Sequence, residues 1–175
     1  HPAGHVLGSA QVRVEYKDEI WVISGDYKLM PDRTCAPFEP VKCHHFITEA
    51  TFGLPIYRWQ PTEFIFEEIN DWWRKNQEKE KVSVLFAYSL GKSQRIMNGI
   101  DRTIGKIFTH GAVERLTQAY RESGVDLPKT KYAGAVENKK DYAGSLIVAP
   151  PSAHGSTWLR RFGNYSTGFA SGWMM

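Results

Sequence analysis

The chain opens with an alternation of period two. In "SAQVRVEY" (9–16) small or apolar residues trade places with polar ones, which predicts a strand with one wet face. "KDE" then reads as a turn, and "IWVISGDY" (20–27) as a second, more apolar and so more buried strand. Together they predict a hairpin. A third short strand is expected around His45 to Thr48, within "CHHFITEATFG", closed by Gly53 and Pro55. His44 and His45, adjacent on a strand, must face opposite ways, one partly buried and one exposed.

The period then changes. Phe64, Ile65, Ile69, Trp72 and Trp73 recur at helical spacing, predicting a helix from Thr62 to Gln77 with Thr62 as its N-cap. Its end, "RKNQEKEK", reads as a solvated face. Beyond it, apolar strands alternate with helices. "VSVLFAY" (82–88) is a buried strand, after which Ser89 caps a helix over "LGKSQRIMNGI". "KIFTH" (106–110) is a strand ending on His110, "GAVERLTQAYRESG" (111–124) a helix, and "SLIVAPP" (145–151) another buried strand. "SAHGSTWLRRFG" reads as a loop and short helix, and "TGFASGWMM" as a last strand. Continuous apolar strands separated by helices imply a parallel sheet covered on both faces. The pattern thus divides into 1–55, antiparallel β structure, and 62–175, an α/β lobe.

Composition narrows the class. In 175 residues, 42% are hydrophobic and 23% charged, which is ordinary for a globular chain able to bury a core. The net charge of +3 permits a polyanionic partner only if the cations are focused on one face. Cys35 and Cys43 do not have zinc-ribbon spacing and read as reduced thiols of a cytoplasmic protein. No apolar run approaches a membrane span, and no signal peptide is visible. A Walker phosphate loop is not formed either, because "SLGKSQ" lacks the earlier glycine.

The candidate chemistry sits at strand ends. His5 lies in a Gly-rich turn before the first strand, Asp26 ends the second, and Glu49 ends the third. An imidazole and carboxylates on neighbouring loops suit a borderline metal such as zinc. On spacing alone the bland reading comes first: a lone His in a turn is more often a polar turn residue, "GD" is a common turn pair, and Glu49 reads as a cap or ion-pair partner.

Four stretches in order, "PAGHVLGSAQV", "WVISGDY", "TEATFG" and "FAYSLGKSQRI", resemble the β-CASP branch of metallo-β-lactamase-fold nucleases. The similarity is greatest to bacterial DNA-ligase-associated exonucleases and extends to mRNA 3′-end-processing factors. It implies an α/β fold made of part of a metallo-β-lactamase αββα lobe (1–55) and a β-CASP cap with a parallel sheet (62–175). It also implies that His5 binds zinc, that Asp26 bridges two zinc ions, and that Glu49 orients a histidine lying beyond Met175. Asp26 and Glu49 would then be the catalytic positions, with manganese as an alternative metal. The implied activity is zinc-dependent hydrolysis of DNA phosphodiesters in repair, with an ATP-dependent DNA ligase and a helicase as partners.

The sequence departs from that pattern where it matters. A His-x-His-x-Asp-His motif is expected before His5, and two more histidines after "FASGWMM"; this chain carries neither. Taken alone, it is expected to bind zinc weakly and not to turn over. An RNA-processing nuclease of the same family and a non-catalytic nucleic-acid-binding module are the alternatives.

Two loops are candidates for phosphate contact. "YSLGKSQRI" offers Ser89, Lys92 and Arg95 around a helix N-terminus, whose exposed N–H groups attract anions. "PPSAHGSTWLRRFG" offers Ser152, His154, Ser156 and Arg160. Both would follow parallel strands, at the edge where open α/β sheets bind ligands. Lys92 and Arg95, three apart, share a helix face. Trp158 or Trp59 is a candidate for stacking on a base.

Overall fold

The computed structural model describes residues 1–54, 56 and 59–172. It divides into two compact units, His1–Arg58 and Trp59–Met175.

The first unit is a three-stranded sheet of order β1-β2-β3, with β1 at Gln11–Tyr16, β2 at Glu19–Ser24 and β3 at His45–Ile47. β1 and β2 pair antiparallel, from Gln11↔Ser24 to Tyr16↔Glu19. Their link is only Lys17 and Asp18, both at positive φ (47° and 64°), the backbone of a tight two-residue hairpin turn. β3 pairs parallel with β2. β2 is less buried than its apolar content predicts, because only Val22 and Ser24 are shielded while Trp21 and Ile23 stay exposed. The register Val12↔Ile23, Val14↔Trp21, Trp21↔His45 and Ile23↔Ile47 puts these residues on one side of the sheet. That side is open to solvent. His44 and His45 are both exposed, which corrects the expectation that one is partly buried. The His44 Nδ1 accepts the Ile20 N–H at 2.9 Å, and the His45 ring stacks on Trp21 at 4.0 Å.

The second unit is a five-stranded sheet of order β6-β5-β7-β4-β8, with every pairing parallel. The strands are β4 (Val82–Phe86), β5 (Ile107–Thr109), β6 (Thr130–Tyr132), β7 (Leu146–Ala149) and β8 (Tyr165–Phe169). The helices are α1 (Thr62–Gln77), α2 (Lys92–Gly99) and α3 (Gly111–Glu122). β4 and β7 are buried at every position, as β-branched runs without alternation require. On one side Val82, Val84, Phe86, Phe108 and Ile147 pack against Tyr142, Leu159 and Phe162. On the other lies α1, whose Asn76 donates to Ser83 Oγ at 2.9 Å and whose Trp72 Nε1 donates to Ser166 Oγ at 3.2 Å. Trp73, fully buried, donates to the Gly144 carbonyl at 3.0 Å.

The ends of elements bring several corrections. Thr62 is the first residue of α1 and not its cap; Pro61 takes the cap position, and the Thr62 hydroxyl accepts from Arg95. Ser89 does not cap α2. Gly91 does, at φ 77°, a conformation that only a residue without Cβ adopts freely, and the helix starts at Lys92. His110 is more than a strand end, since its Nδ1 accepts the Ala112 N–H at 3.1 Å and caps α3. β6 carries only three residues with no apolar run to announce it. The segment 150–163 forms two short 3₁₀ turns, Pro151–Ala153 and Thr157–Phe162. The last strand begins two residues before the expected one and ends at Phe169; Trp173–Met175 lie outside the described residues. Cys35 and Cys43 are not joined in a disulfide, and the Cys35 Sγ–H donates to the Gly4 carbonyl at 3.4 Å. No described helix is long and apolar enough to cross a membrane.

Candidate functional site

Strand direction assembles the first group of residues. β2 and β3 run parallel, so Asp26 and Glu49, each two residues past a strand end, emerge at one end of the sheet. β1 runs the other way, so the turn before it enters at that same end and delivers His5. The His5 Nε2 lies 3.4 Å from Asp26 Oδ2. That is ion-pair distance but longer than a strong hydrogen bond, and both side chains are open to water (42% and 62% exposed). Glu49 Oε2 accepts the Thr51 N–H at 2.7 Å. The Thr51 bonds, and secondarily the nearby His5 imidazole, hold the Glu49 carboxyl below its ordinary value.

The turn carrying His5 is fixed by the chain around it. Ser9 Oγ accepts the N–H groups of His5 (3.1 Å) and Val6 (3.2 Å), and the Ala3 N–H donates to the Ser9 carbonyl. Gly4 sits at φ 71°, and a Cβ there would lie 2.4 Å from the Lys28 carbonyl oxygen, so this position admits only glycine. Gly8 has open space around it and contributes only its left-handed backbone.

Sequence reasoning missed two buried polar residues at this end. Gln11 and Ser24, opposite each other in the register, are each 3% exposed. Gln11 Nε2 donates to the carbonyls of Pro2 (2.9 Å) and Glu39 (2.8 Å), while Gln11 Oε1 and Ser24 Oγ make no hydrogen bond. Gln11 gave no signal in sequence, because it shares its parity with Arg13 and Glu15 on the face that reads as wet.

Zinc takes four donors in a closed site and at least three from protein in an open one. His5 and Asp26 supply two. Among the described residues no group of three or more His, Cys, Asp or Glu is placed to hold a metal ion. His44 and His45 are engaged with Ile20 and Trp21. The donors present therefore do not make up a zinc centre.

In the second unit, the loops after β4 and β7 leave neighbouring parallel strands at the same edge. Ser89 is half-buried, and its carbonyl accepts from Gln94 Nε2 at 3.0 Å. Lys92 opens α2, and burial, then the adjacent Arg95, lower its pKa. Arg95 donates to Thr62 Oγ1 at 2.7 Å and is committed to α1. The expected set of open N–H groups at this helix start is reduced, since Lys92 N donates to Leu90 O and Ser93 N to Tyr88 O. Ser152, His154 and Arg160 are exposed, whereas Ser156 Oγ turns back to the Ala153 carbonyl at 2.7 Å.

No model of a known protein family matches the chain. Its full length is 30% identical, over 176 aligned residues, to a protein of Opitutus terrae named "Probable DNA ligase". The chain spans 17% of that relative's length, so the likeness concerns one segment of a much larger protein.

The aromatic groups at this edge divide into two kinds. Trp158 packs edge-on against Phe162 (4.8 Å) and His110 (4.9 Å), with Arg161 over its ring at 5.4 Å, which is a packing role. His154 packs its ring against Phe86 and Phe169 while staying exposed. Trp59 is 48% exposed, and its Nε1 donates to the Gly172 carbonyl at 3.3 Å.

Proposed function

We propose that this chain is a segment of a DNA-processing enzyme, a metal-dependent nuclease that hydrolyses phosphodiester bonds. One observation carries the reading: His5, Asp26 and Glu49, from three separate stretches of sequence, gather at one end of one sheet. The likeness to a protein named for DNA ligation supports a DNA setting. An ATP-dependent DNA ligase and a helicase are the partners that this reading proposes.

In this reading Asp26 and His5 are two members of a larger zinc or manganese donor set, whose other members lie outside this chain. Glu49, charged and anchored by Thr51, orients an imidazole that the chain does not itself contain. The metal would supply an activated hydroxide at neutral pH. The residues of this chain hold an anionic, solvent-open end of a sheet for it. The loops at 88–92 and 150–160 position the phosphate backbone through Lys92, Ser152 and Arg160.

The incomplete donor set favours a second reading, a nucleic-acid-binding module without catalysis. A nuclease assay of the full-length protein decides between them, with zinc or manganese, on labelled single-stranded DNA, duplex DNA and RNA. Cleavage of DNA supports the first reading, and cleavage of RNA alone moves it to RNA processing. Binding without cleavage leaves the second, and neither binding nor cleavage removes both.

A further inference from the structure

The carboxyl edge of the five-stranded sheet leaves aromatic rings uncovered beside cations. Phe86 and Phe169 are register partners at the ends of β4 and β8, with ring centroids 4.9 Å apart. The His154 ring stands edge-on to both, 5.2 Å from Phe86 and 4.9 Å from Phe169. Phe86 is buried at 1% exposure, yet Phe169 keeps 40% of its surface in water. Two residues past Phe86, Tyr88 is 57% exposed. The sheet's core ends on a buried ring, Phe86, and the Phe169 and His154 rings packed against it stay exposed.

The loops 87–92, 110–112 and 150–163 carry Lys92, Arg160 and Arg161 and contain no Asp or Glu. Unpaired bases have flat apolar faces and travel on a chain of phosphates, so a cationic edge with exposed rings matches them on both counts. A duplex hides its base faces within the stack and would meet only the cations. We infer that Phe169 and His154, backed by Phe86, form a stacking platform for an unpaired nucleobase, with Tyr88 beside it, and that this edge selects single-stranded over duplex nucleic acid. The inference rests on the nucleic-acid reading above and adds its base-contacting residues.

Binding of fluorescent oligonucleotides to the chain tests it, with three probes of equal length: oligothymidylate, an abasic strand with the same phosphates, and a duplex. The platform predicts oligothymidylate bound about tenfold tighter than the abasic strand, the scale of one base stacked on one ring. Phe169→Leu, which keeps apolar cover over Phe86, brings that ratio close to one and leaves abasic binding unchanged. Arg160→Ala weakens all three probes and steepens none of the differences. If the wild-type chain binds the abasic strand as tightly as oligothymidylate, or if Phe169→Leu weakens both equally, there is no platform although nucleic acid is bound. If no probe binds, the nucleic-acid reading falls with it.

Discussion

The two sheets of this protein are built to opposite rules. In the five-stranded sheet β4 reads buried at all five positions, with helices on one side and the 3₁₀ turns on the other. In the three-stranded sheet β3 is exposed at all three positions, and Val12, Val14, Trp21, Ile23 and Ile47 face water. The candidate acid–imidazole group stands on the sparsely covered sheet; the rings and cations proposed to meet nucleic acid stand on the well-packed one. The candidate metal-binding group and the proposed base-binding rings thus stand on different sheets. The second sheet can lose little without unfolding, while the first can change its open side cheaply but not the residues at its end.

The sharpest way to break this contrast is to remove Trp73. It is fully buried and hydrogen-bonded to Gly144, so Trp73→Ala should cost about 3–5 kcal/mol. Thermal unfolding followed by circular dichroism would show it; a loss under 1 kcal/mol would mean that the second unit is not the rigid one. Next in size is Glu49→Gln, which keeps shape and removes charge. In the full-length protein it should lower nuclease rate by about 10–100-fold, the usual scale for a group that orients a metal-site histidine. Circular dichroism should detect no loss of fold. Elemental analysis of the purified 175-residue chain should find well under one zinc per molecule, because among the described residues no group of three donors is placed to hold the ion. Stoichiometric zinc would show that the sparsely covered sheet builds a metal site unaided.

A smaller effect sharpens the comparison through pH. Burial, and then Arg161, push the His110 pKa down from its ordinary value, and its Nδ1 must stay unprotonated to accept the Ala112 N–H. The unfolded chain therefore binds the proton more readily than the folded one. Stability is full above about pH 6.5 and declines as pH falls from there through the lowered folded value. His110→Asn, which keeps an N-cap acceptor, should flatten the melting temperature between pH 7 and pH 5. An unchanged slope would assign that dependence elsewhere. The carboxyls held low by hydrogen bonds, Asp32, Asp101 and Asp126, act only in a more acidic window. Smallest of all is Trp21→Thr on the open sheet face, expected to change stability by under about 1 kcal/mol. A larger loss would show that the open face supports the fold.

What was legible in the sequence follows the same division. α1 is found from Thr62 to Gln77 because its apolar positions fix both its period and its length. β4 and β7 announce themselves by unbroken apolar runs. Where structure is set by backbone geometry instead of burial, the signal fades. The cap of α2 falls to Gly91 through a positive φ that Ser89 cannot supply. β6 is held by its parallel pairing with β5, and neither Thr130 nor Lys131 marks it as a strand. Trp158 reads as a stacking candidate by type alone, while its contacts with Phe162 and His110 assign it to packing. His5 and Asp26 meet because β1 and β2 form the hairpin that the sequence predicts. Glu49 joins that end only because β3 runs parallel to β2, against the expected antiparallel arrangement, and strand direction leaves no trace in period-two alternation. Gln11 and Ser24 stayed hidden because two polar residues in a half-wet strand look like its outer face.

A metal-dependent role for Asp26 is read out by the rate of nucleotide release from labelled single-stranded DNA by the full-length protein, wild type against Asp26→Asn, with zinc or manganese. Metal-dependent release by the wild type and its loss in Asp26→Asn, with an unchanged melting temperature, are expected. Release at the wild-type rate in Asp26→Asn, or none from the wild type on any nucleic acid, would contradict that role.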